Sequence, residues 1–370
     1  VGETGIASTI SGIPFYRGDG NNSSIYTHDV SGTDSTAQYN TSYGITAMDA
    51  ITTGDNNVAL GWGAGTALTT GSNNIAIGVL ALEAEDTGTQ NIAIGTSALS
   101  KLNFDSDGNN ICIGYNSGAE ITSGRWNIGI GTESIDGFDS EHSNLGIGYR
   151  ALGGSIAGGE LNVAIGNSSG MALTSGDANT FLGYYAGSAI TTGEHNVILG
   201  YQAGLELTTA DKCVFIGTSA GDGHDTEDHN LGIGFGSLGG AVAGGEYNVG
   251  VGNLTLDALA SADSCTAVGY AAGSAITTAT DTTCIGESAG GSITTGQGNV
   301  MIGQNAGNAG TALTTGANNI FIGEKISSAA SGTGNSIVLA SASEASKGDN
   351  TGFINPNSGG VYQGNNSTAW

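Results

Sequence analysis

The chain has 370 residues, with 33 acidic against 7 basic side chains for a formal charge of −26, and 67 glycines against two prolines. Such a charge repels nucleic-acid backbones and anionic membranes, and no run nears the roughly 18 apolar residues that a membrane-crossing helix needs. Four cysteines are too few for a disulfide framework, and the glycines carry no collagen period.

Val1 opens no signal peptide, so the chain reads as beginning inside a longer protein. Residues 1–39 carry no repeat. Short strands are expected over Ser8–Ile13 and Ile25–Val30, with a loop at Gly18–Ser24. A stack of repeats exposes its apolar end, so this region is expected to be an N-terminal cap or connector.

From Asn40 a short unit recurs: Asn74-Ile75-Ala76-Ile77-Gly78, then Asn91-Ile92-Ala93-Ile94-Gly95, then looser copies such as Asn196-Val197-Ile198-Leu199-Gly200. Its closing glycine falls at 44, 61, 78, 95, 114, 131, 148, 166, 183, 200, 217, 234, 252, 269, 286, 303 and 323, with Ala340 in the last place. Thirteen of these gaps are 17 residues, and the others are 18, 18, 19 and 20. A fixed short period over this length is the mark of a solenoid. We number each coil from its glycine as zero.

Positions −3 and −1 are aliphatic in most coils, as in Val58 and Leu60 or Ile75 and Ile77. Alternation along a strand puts them on one face, which we expect to be the core. Position −2 then points outward, small at Ala59, Ala76 and Ala93 and large at Phe181, Phe215, Met301 and Phe321. Position −4 is Asn in fourteen of eighteen coils, which suits an amide ladder from coil to coil. Residues such as Ala64-Gly65-Thr66-Ala67-Leu68-Thr69-Thr70-Gly71 make up the rest of a coil. Position +7 there is expected to be the core residue of a second strand, and the glycine at +10 to close the second turn. Two strands and two turns in 17 residues favour a flattened roll over a triangular prism.

A longer period overlies the short one, because residues 131–217 align with 217–303 at an offset of 86, or five coils. Past Ala340 the period is lost, and 341–370 is expected to be a C-terminal cap or tail. Cys265 and Cys284 are the nearest cysteines in coil terms, at a Cα separation of roughly 8 Å. A disulfide spans no more than about 7 Å, so no bridge is expected.

At Asn-Ile-Ala-Ile-Gly the chain resembles the head repeats of trimeric autotransporter adhesins. With Thr-Thr-Gly following, it looks closer still to the repeats of phage tail fibres, which often precede an endosialidase-type intramolecular chaperone. Asn366-Ser367-Thr368-Ala369-Trp370 resembles the segment before such a chaperone. The resemblance covers about 40–340. It implies an all-β, left-handed parallel β-roll (a β-solenoid of about 17-residue coils) assembled as a homotrimer. It also implies self-association, contact with other fibre or tail proteins, and an extracellular place on a virion tail fibre or, alternatively, on a bacterial cell surface. In the implied trimer the −2 residues Ala59, Ala76, Ala93, Phe181, Phe215, Met301 and Phe321 face the partner chains. Eighteen coils at one strand spacing would make a rod of roughly 85 Å.

No enzyme constellation emerges. His28, His142, His195, His224 and His229 are scattered among turns, and no nucleophile elbow or metalloprotease signature is present. We expect no catalysis, no cofactor and no bound metal. Asp105-Ser106-Asp107-Gly108-Asn109 resembles the start of a calcium loop but lacks its distal Glu. The acidic turns 136–141 and 222–228 are read as solvated turns. Aromatic rings recur at +1, at Trp62, Tyr115, Tyr149, Tyr184, Tyr201, Phe235 and Tyr270. They either pack beside the turn or offer a platform for a cell-surface glycan, with Trp62, Tyr115, Tyr149, Tyr184, Tyr201 and Tyr270 the candidate contacts. The Thr-Thr pairs form one available column, which suits cross-strand pairing more than an ordered-water surface. Function is expected to be structural and adhesive, in host attachment by a fibre segment. The alternative is a bacterial trimeric adhesin head that binds host matrix or glycans itself.

Overall fold

The computed structural model describes residues 6–10, 13–17, 24–27, 35–154, 158–241, 243–341 and 343–355. Most of the loop expected at Gly18–Ser24, the end of the strand expected to reach Val30, and the tail from Pro356 lie outside them. Among the described residues there is no helix. The chain divides into two units, Val1–His195 and Asn196–Trp370.

Each unit is a parallel β-solenoid. In the first, three-residue strands run from Thr41–Tyr43 through Val58–Leu60, Ile75–Ile77 and their successors to Thr180–Leu182. In the second they run from Val197–Leu199 to Ile320–Ile322, followed by Ile337–Ala340. Neighbours within a unit pair in parallel and in repeat register, as in Val58↔Ile75, Ala59↔Ala76 and Leu60↔Ile77. The stack passes both limits of the array read from the sequence. Ile25–Tyr26 pairs in parallel with Thr41–Tyr43, and Gly352–Asn355 with Ile337–Ala340. At the N-terminal end, Ile6–Ile10 and Ile13–Arg17 form an antiparallel pair, and the second also pairs antiparallel with Ile25–Tyr26.

Among the described residues the second segment of a coil forms no strand, only isolated parallel bridges such as Thr89↔Asp107. There the chain makes a run of turns, with left-handed backbone at −5, +2 and +4, as at Asn73 (φ 61°), Leu80 (φ 55°) and Leu82 (φ 54°). Extended strands need φ near −120°, so these residues curl the chain where β-propensity alone would extend it. The zero glycine holds φ near 135°, at Gly78 for example (134°). A Cβ on Gly78 would also lie 2.5 Å from the Gly95 carbonyl oxygen of the next coil. Both facts leave glycine as the only residue that fits.

The strand faces are the reverse of the expectation. Position −2 is buried while −3 and −1 are half-exposed. Ala59, Ala76, Ala93, Phe181, Phe215, Met301 and Phe321 are fully buried inside their own chain, so they cannot face partner chains. The physical reason is volume. The interior opposite −2 is already filled from +4 and +7, by Leu82, Leu99 and Leu68 among others. A β-carbon added at Gly129 (−2) would meet Ile135 (+4) at 2.6 Å, and one added at Gly187 (+4) would meet Phe181 (−2) at 2.5 Å. Where −2 is large, +4 is small: Phe181 with Gly187, Phe215 with Gly221, Met301 with Gly307. In several coils where −2 is small, +4 is large: Ala76 with Leu82, Ala93 with Leu99, Gly146 with Leu152. Ala59 with Gly65, Ala164 with Gly170 and Ala267 with Gly273 are small at both, and side chains of adjacent coils such as Phe181 and Leu256 reach into the last two. The two large aliphatics of a strand therefore have no room inside. Position +7 is core, as expected, at Ile51, Leu102, Ile121, Phe138, Leu173, Ile190, Ile276 and Ile293.

The amide ladder is formed. The Asn57 N–H donates to Oδ1 of Asn40, the Asn74 N–H to Asn57, and the Asn91 N–H to Asn74, at 2.8–2.9 Å. Each amide Nδ2 also crosses to a turn carbonyl, Asn57 to Gly71 and Asn74 to Gly88, at 2.8 Å. One buried side chain thus satisfies a backbone donor and a backbone acceptor that the turns would otherwise leave bare. Cys213 and Cys265 stand in this column. Their thiols donate to the carbonyls of Glu227 (3.2 Å) and Ala279 (3.0 Å), in place of an Asn amide. All four cysteines are buried and unbridged. Burial pushes the Cys112 and Cys213 thiols up to about 12 and Cys265 to about 11, which keeps them protonated and unreactive.

Candidate functional site

The outward face of each coil carries four columns: −5, −3, −1 and +1. The −3 and −1 aliphatics form a two-wide apolar stripe in each unit, with Ile130, Leu182, Val268, Ile285 and Ile322 among its more exposed members. This stripe stands on the outward face, where the −2 residues were expected.

Beside it run the aromatics expected at +1. Trp62, Tyr115, Tyr149, Tyr184, Tyr201 and Tyr270 are each 45–55% exposed, and Phe235 is similar. They do not occupy every coil. Thr132 separates Tyr115 from Tyr149, Asn167 separates Tyr149 from Tyr184, and Asn253 separates Phe235 from Tyr270. Rings two coils apart stand about 10 Å from one another. The intervening asparagines accept backbone bonds, Asn167 from the Tyr149 N–H and Asn253 from the Phe235 N–H. The +1 rings are therefore about half exposed and interrupted along the column, rather than a continuous packed ladder.

The −5 column was not singled out from the sequence. Tyr39, Trp126, Leu161 and Tyr247 project from it and are more than half exposed. All four sit in left-handed backbone, a conformation that aims a large side chain away from the coil. His229 stacks on Tyr247, with ring centroids 5.0 Å apart and planes 20° apart. Trp126 meets His142 edge-on at 6.2 Å. The sequence signal for this column is the residue before the ladder Asn, where a bulky aromatic has no core role.

The first threonine of each pair is tied into the turns. Thr52 Oγ1 donates to the Thr69 carbonyl, and Thr69 Oγ1 to that of Asp86, at 2.9–3.1 Å. Thr53 and Thr70 point to solvent, so one column is free, as expected.

The acidic turns hold carboxylates that already have work. Asp105 Oδ1 takes the Thr87 hydroxyl at 2.9 Å, and Asp107 that of Thr89. Glu141, nearly buried, accepts the N–H groups of Asp139 and Ser140, and across the coil that of Gly158. Glu227 repeats this set 86 residues on, with Asp225, Thr226 and Gly244. Glu85 takes Gly88 at 2.6 Å and Phe104 at 3.3 Å. Its carboxyl is raised above the usual range, by burial first. In all three cases the coil that follows is one of the lengthened ones. These glutamates brace the extra residues. Among the described residues no group of three or more His, Cys, Asp or Glu is placed to hold a metal ion.

An open recess of about 570 Å³ is lined by Lys101, Glu120, Thr122, Asp136, Phe138 and Asp139. Lys101 pairs with Glu120 at 2.5 Å. Asp136 is pushed up to about 6, by burial first and then by Glu133, so it exchanges its proton near neutral pH. No described helix is long and apolar enough to cross a membrane.

Compared with protein families and with curated proteins, the chain matches no family model and no curated protein significantly.

Proposed function

We propose that the chain is a structural and adhesive segment of a surface appendage, in the first place a viral tail fibre acting in host attachment. It works as a homotrimer of left-handed rolls. The observation that carries this reading is the outward aliphatic pair in coil after coil, for instance Ile92 with Ile94 and Ile111 with Ile113, each half-exposed. A lone chain leaves this stripe wet, whereas parallel copies side by side bury it. Each half-exposed aliphatic that becomes dry adds on the order of 1 kcal/mol, and two per coil accumulate along a unit. Contiguous apolar stripes of this kind mark interaction surfaces.

The strongly acidic remainder keeps such a fibre soluble and away from polyanions. The exposed +1 rings beside the stripe support side-on contact with a cell-surface glycan. Other fibre or tail proteins are its expected partners at the ends. The test is the mass in native buffer by light scattering. Three chains per particle is the expected result, and a monomer at working concentration overturns the reading. A coiled-coil stalk and membrane barrel encoded after Trp370 would move the protein to a bacterial surface instead.

A further inference from the structure

Arg125 is held differently from Lys101, Arg150 and Lys325 in this acidic protein. Lys101 pairs with Glu120, Arg150 with Glu133, and Lys325 with Glu324. Arg125 pairs with no carboxylate among the described residues, and its Nε is buried without a hydrogen-bond partner. It is held instead by aromatic rings. Its Cζ lies 5.1 Å from the Phe104 centroid and 4.8 Å from that of Trp126. Trp126 is 51% exposed. His142, one coil on, lies edge-on to Trp126 at 6.2 Å.

The placement follows from the coil irregularities. Arg125 and Trp126 are at −6 and −5 of one coil, and His142 is at −6 of the next. Phe104 belongs to the 19-residue coil before them, and its backbone N–H is held by Glu85. On the other side, Glu141 pins the turn next to His142. Nearby carboxylates are occupied: Glu120 by Lys101, Glu133 by Arg150, Asp139 by the Thr122 hydroxyl, Asp105 and Asp107 by those of Thr87 and Thr89, and Glu141 by backbone N–H groups. The Arg125 backbone N–H donates to His142 Nδ1 at 3.1 Å. That makes Nδ1 the acceptor, so a neutral His142 carries its proton on Nε2.

From this geometry we propose that Arg125, Trp126 and His142 form a binding site for a sugar that bears a carboxylate. The proposal deepens the adhesive reading above and rests on it. A guanidinium offers a planar fork that matches a carboxylate bidentately. The exposed indole offers an apolar face to the C–H side of a pyranose ring. The His142 Nε2–H adds a donor for a ring substituent. Every polar group offered is a donor, so the site matches an acceptor such as a carboxylate. The field of a −26 chain works against polyanions such as nucleic acid, so a ligand with a single negative charge is favoured. Phe104 fixes the guanidinium from below, so little freedom is lost on binding.

The experiment uses the full chain with 3′-sialyllactose, methyl β-glucuronide and lactose as probes, read by saturation-transfer NMR and calorimetry. Both acidic sugars are expected to bind, and lactose more weakly by about tenfold or more, the worth of a charge-assisted pair. Arg125→Gln removes the preference for acid, Arg125→Lys keeps part of it, and Trp126→Ala loses all three sugars. Thr70→Ala, an exposed turn residue with no part in either aromatic column, changes none of these. Unchanged thermal melting of the Arg125 variants establishes that they fold. The proposal is overturned if neither acidic sugar binds at millimolar concentration, if lactose binds equally well, or if Arg125→Gln keeps the preference. A trimeric mass without acidic-sugar binding sinks this site and leaves the fibre reading standing. A monomeric mass with binding does the opposite.

Discussion

Single residues in this chain matter most where they break the repeat. His224 stands at +7, a place that Ile, Leu or Phe fills in most coils, and it is fully buried against Phe215 at 5.0 Å. Neither ring nitrogen has a hydrogen-bond partner of normal geometry. Burial pushes its pKa down to about 4, and the nearby Glu227 pulls the other way without winning. The folded state therefore holds fewer protons than the unfolded state between pH 6.5 and 4. By linkage, stability falls as pH drops through that window, by roughly 3 kcal/mol at most. His224→Leu is expected to raise stability at pH 7 by about 1–3 kcal/mol, by removing two unsatisfied polar atoms. It should also flatten the pH dependence below 6.5, and thermal melts of both proteins from pH 7 to 4.5 check this. Glu227 and Glu141 are the converse case. Each gathers three backbone N–H groups, so Glu141→Ala strands three donors and is expected to cost about 3 kcal/mol. Glu141→Gln keeps one acceptor oxygen and should cost less. Equal melting of the two variants would remove the bracing role.

At the scale of the coil, the packing rule is the exchange of volume between −2 and +4. Phe181→Ala opens a core cavity and is expected to cost about 3–5 kcal/mol. Gly187→Leu alone overfills the same space and should cost about 1–3 kcal/mol. The double variant reproduces the Ala76 and Leu82 arrangement of another coil, so it should recover most of the loss. Denaturant titration of the three variants measures the coupling, and simple additivity would sink the rule. Much of the coil was legible before any coordinates. The glycine period, the Asn ladder and the +7 core are each one residue type at one spacing, and each has a direct physical job. The direction of the strand faces was not legible in the same way. Alternation separates −3 and −1 from −2 but does not say which face is inside. The deciding signal lies in pairs of columns, Phe181 with Gly187 against Ala93 with Leu99, and columns read singly hide it. The missing second strand was hidden too. Leu82, Leu99 and Ile135 take left-handed backbone without any glycine or asparagine to announce it. The +1 rings could be found by spacing alone. The Arg125 cluster could not, since its members lie in three coils and depend on the two extra residues that carry Phe104.

At the scale of the whole molecule, the same exchange of faces moves the proposed assembly surface from −2 to the −3 and −1 columns. The interior of each coil is complete without a partner, because −2, +3, +4 and +7 fill it, as Ala93, Ala98, Leu99 and Leu102 do in one coil. What remains unfinished is outside, where Ile92, Ile94, Ile111 and Ile113 stand half-exposed on adjacent strands. A charge placed inside and a charge placed on the stripe should therefore fail differently. Ala93→Asp buries an unpaired carboxylate in the core and is expected to unfold the coil at neutral pH. Ile94→Asp combined with Ile113→Asp leaves the core untouched and puts like charges where copies would meet. Its circular dichroism should match that of the parent chain, while light scattering should report one chain per particle in place of three. If the double variant keeps the parent mass, the stripe does not hold copies together, and its half-exposed aliphatics must serve a different partner. If it loses its secondary structure along with its mass, folding and assembly are a single event, and dilution of the parent chain should then unfold it as well.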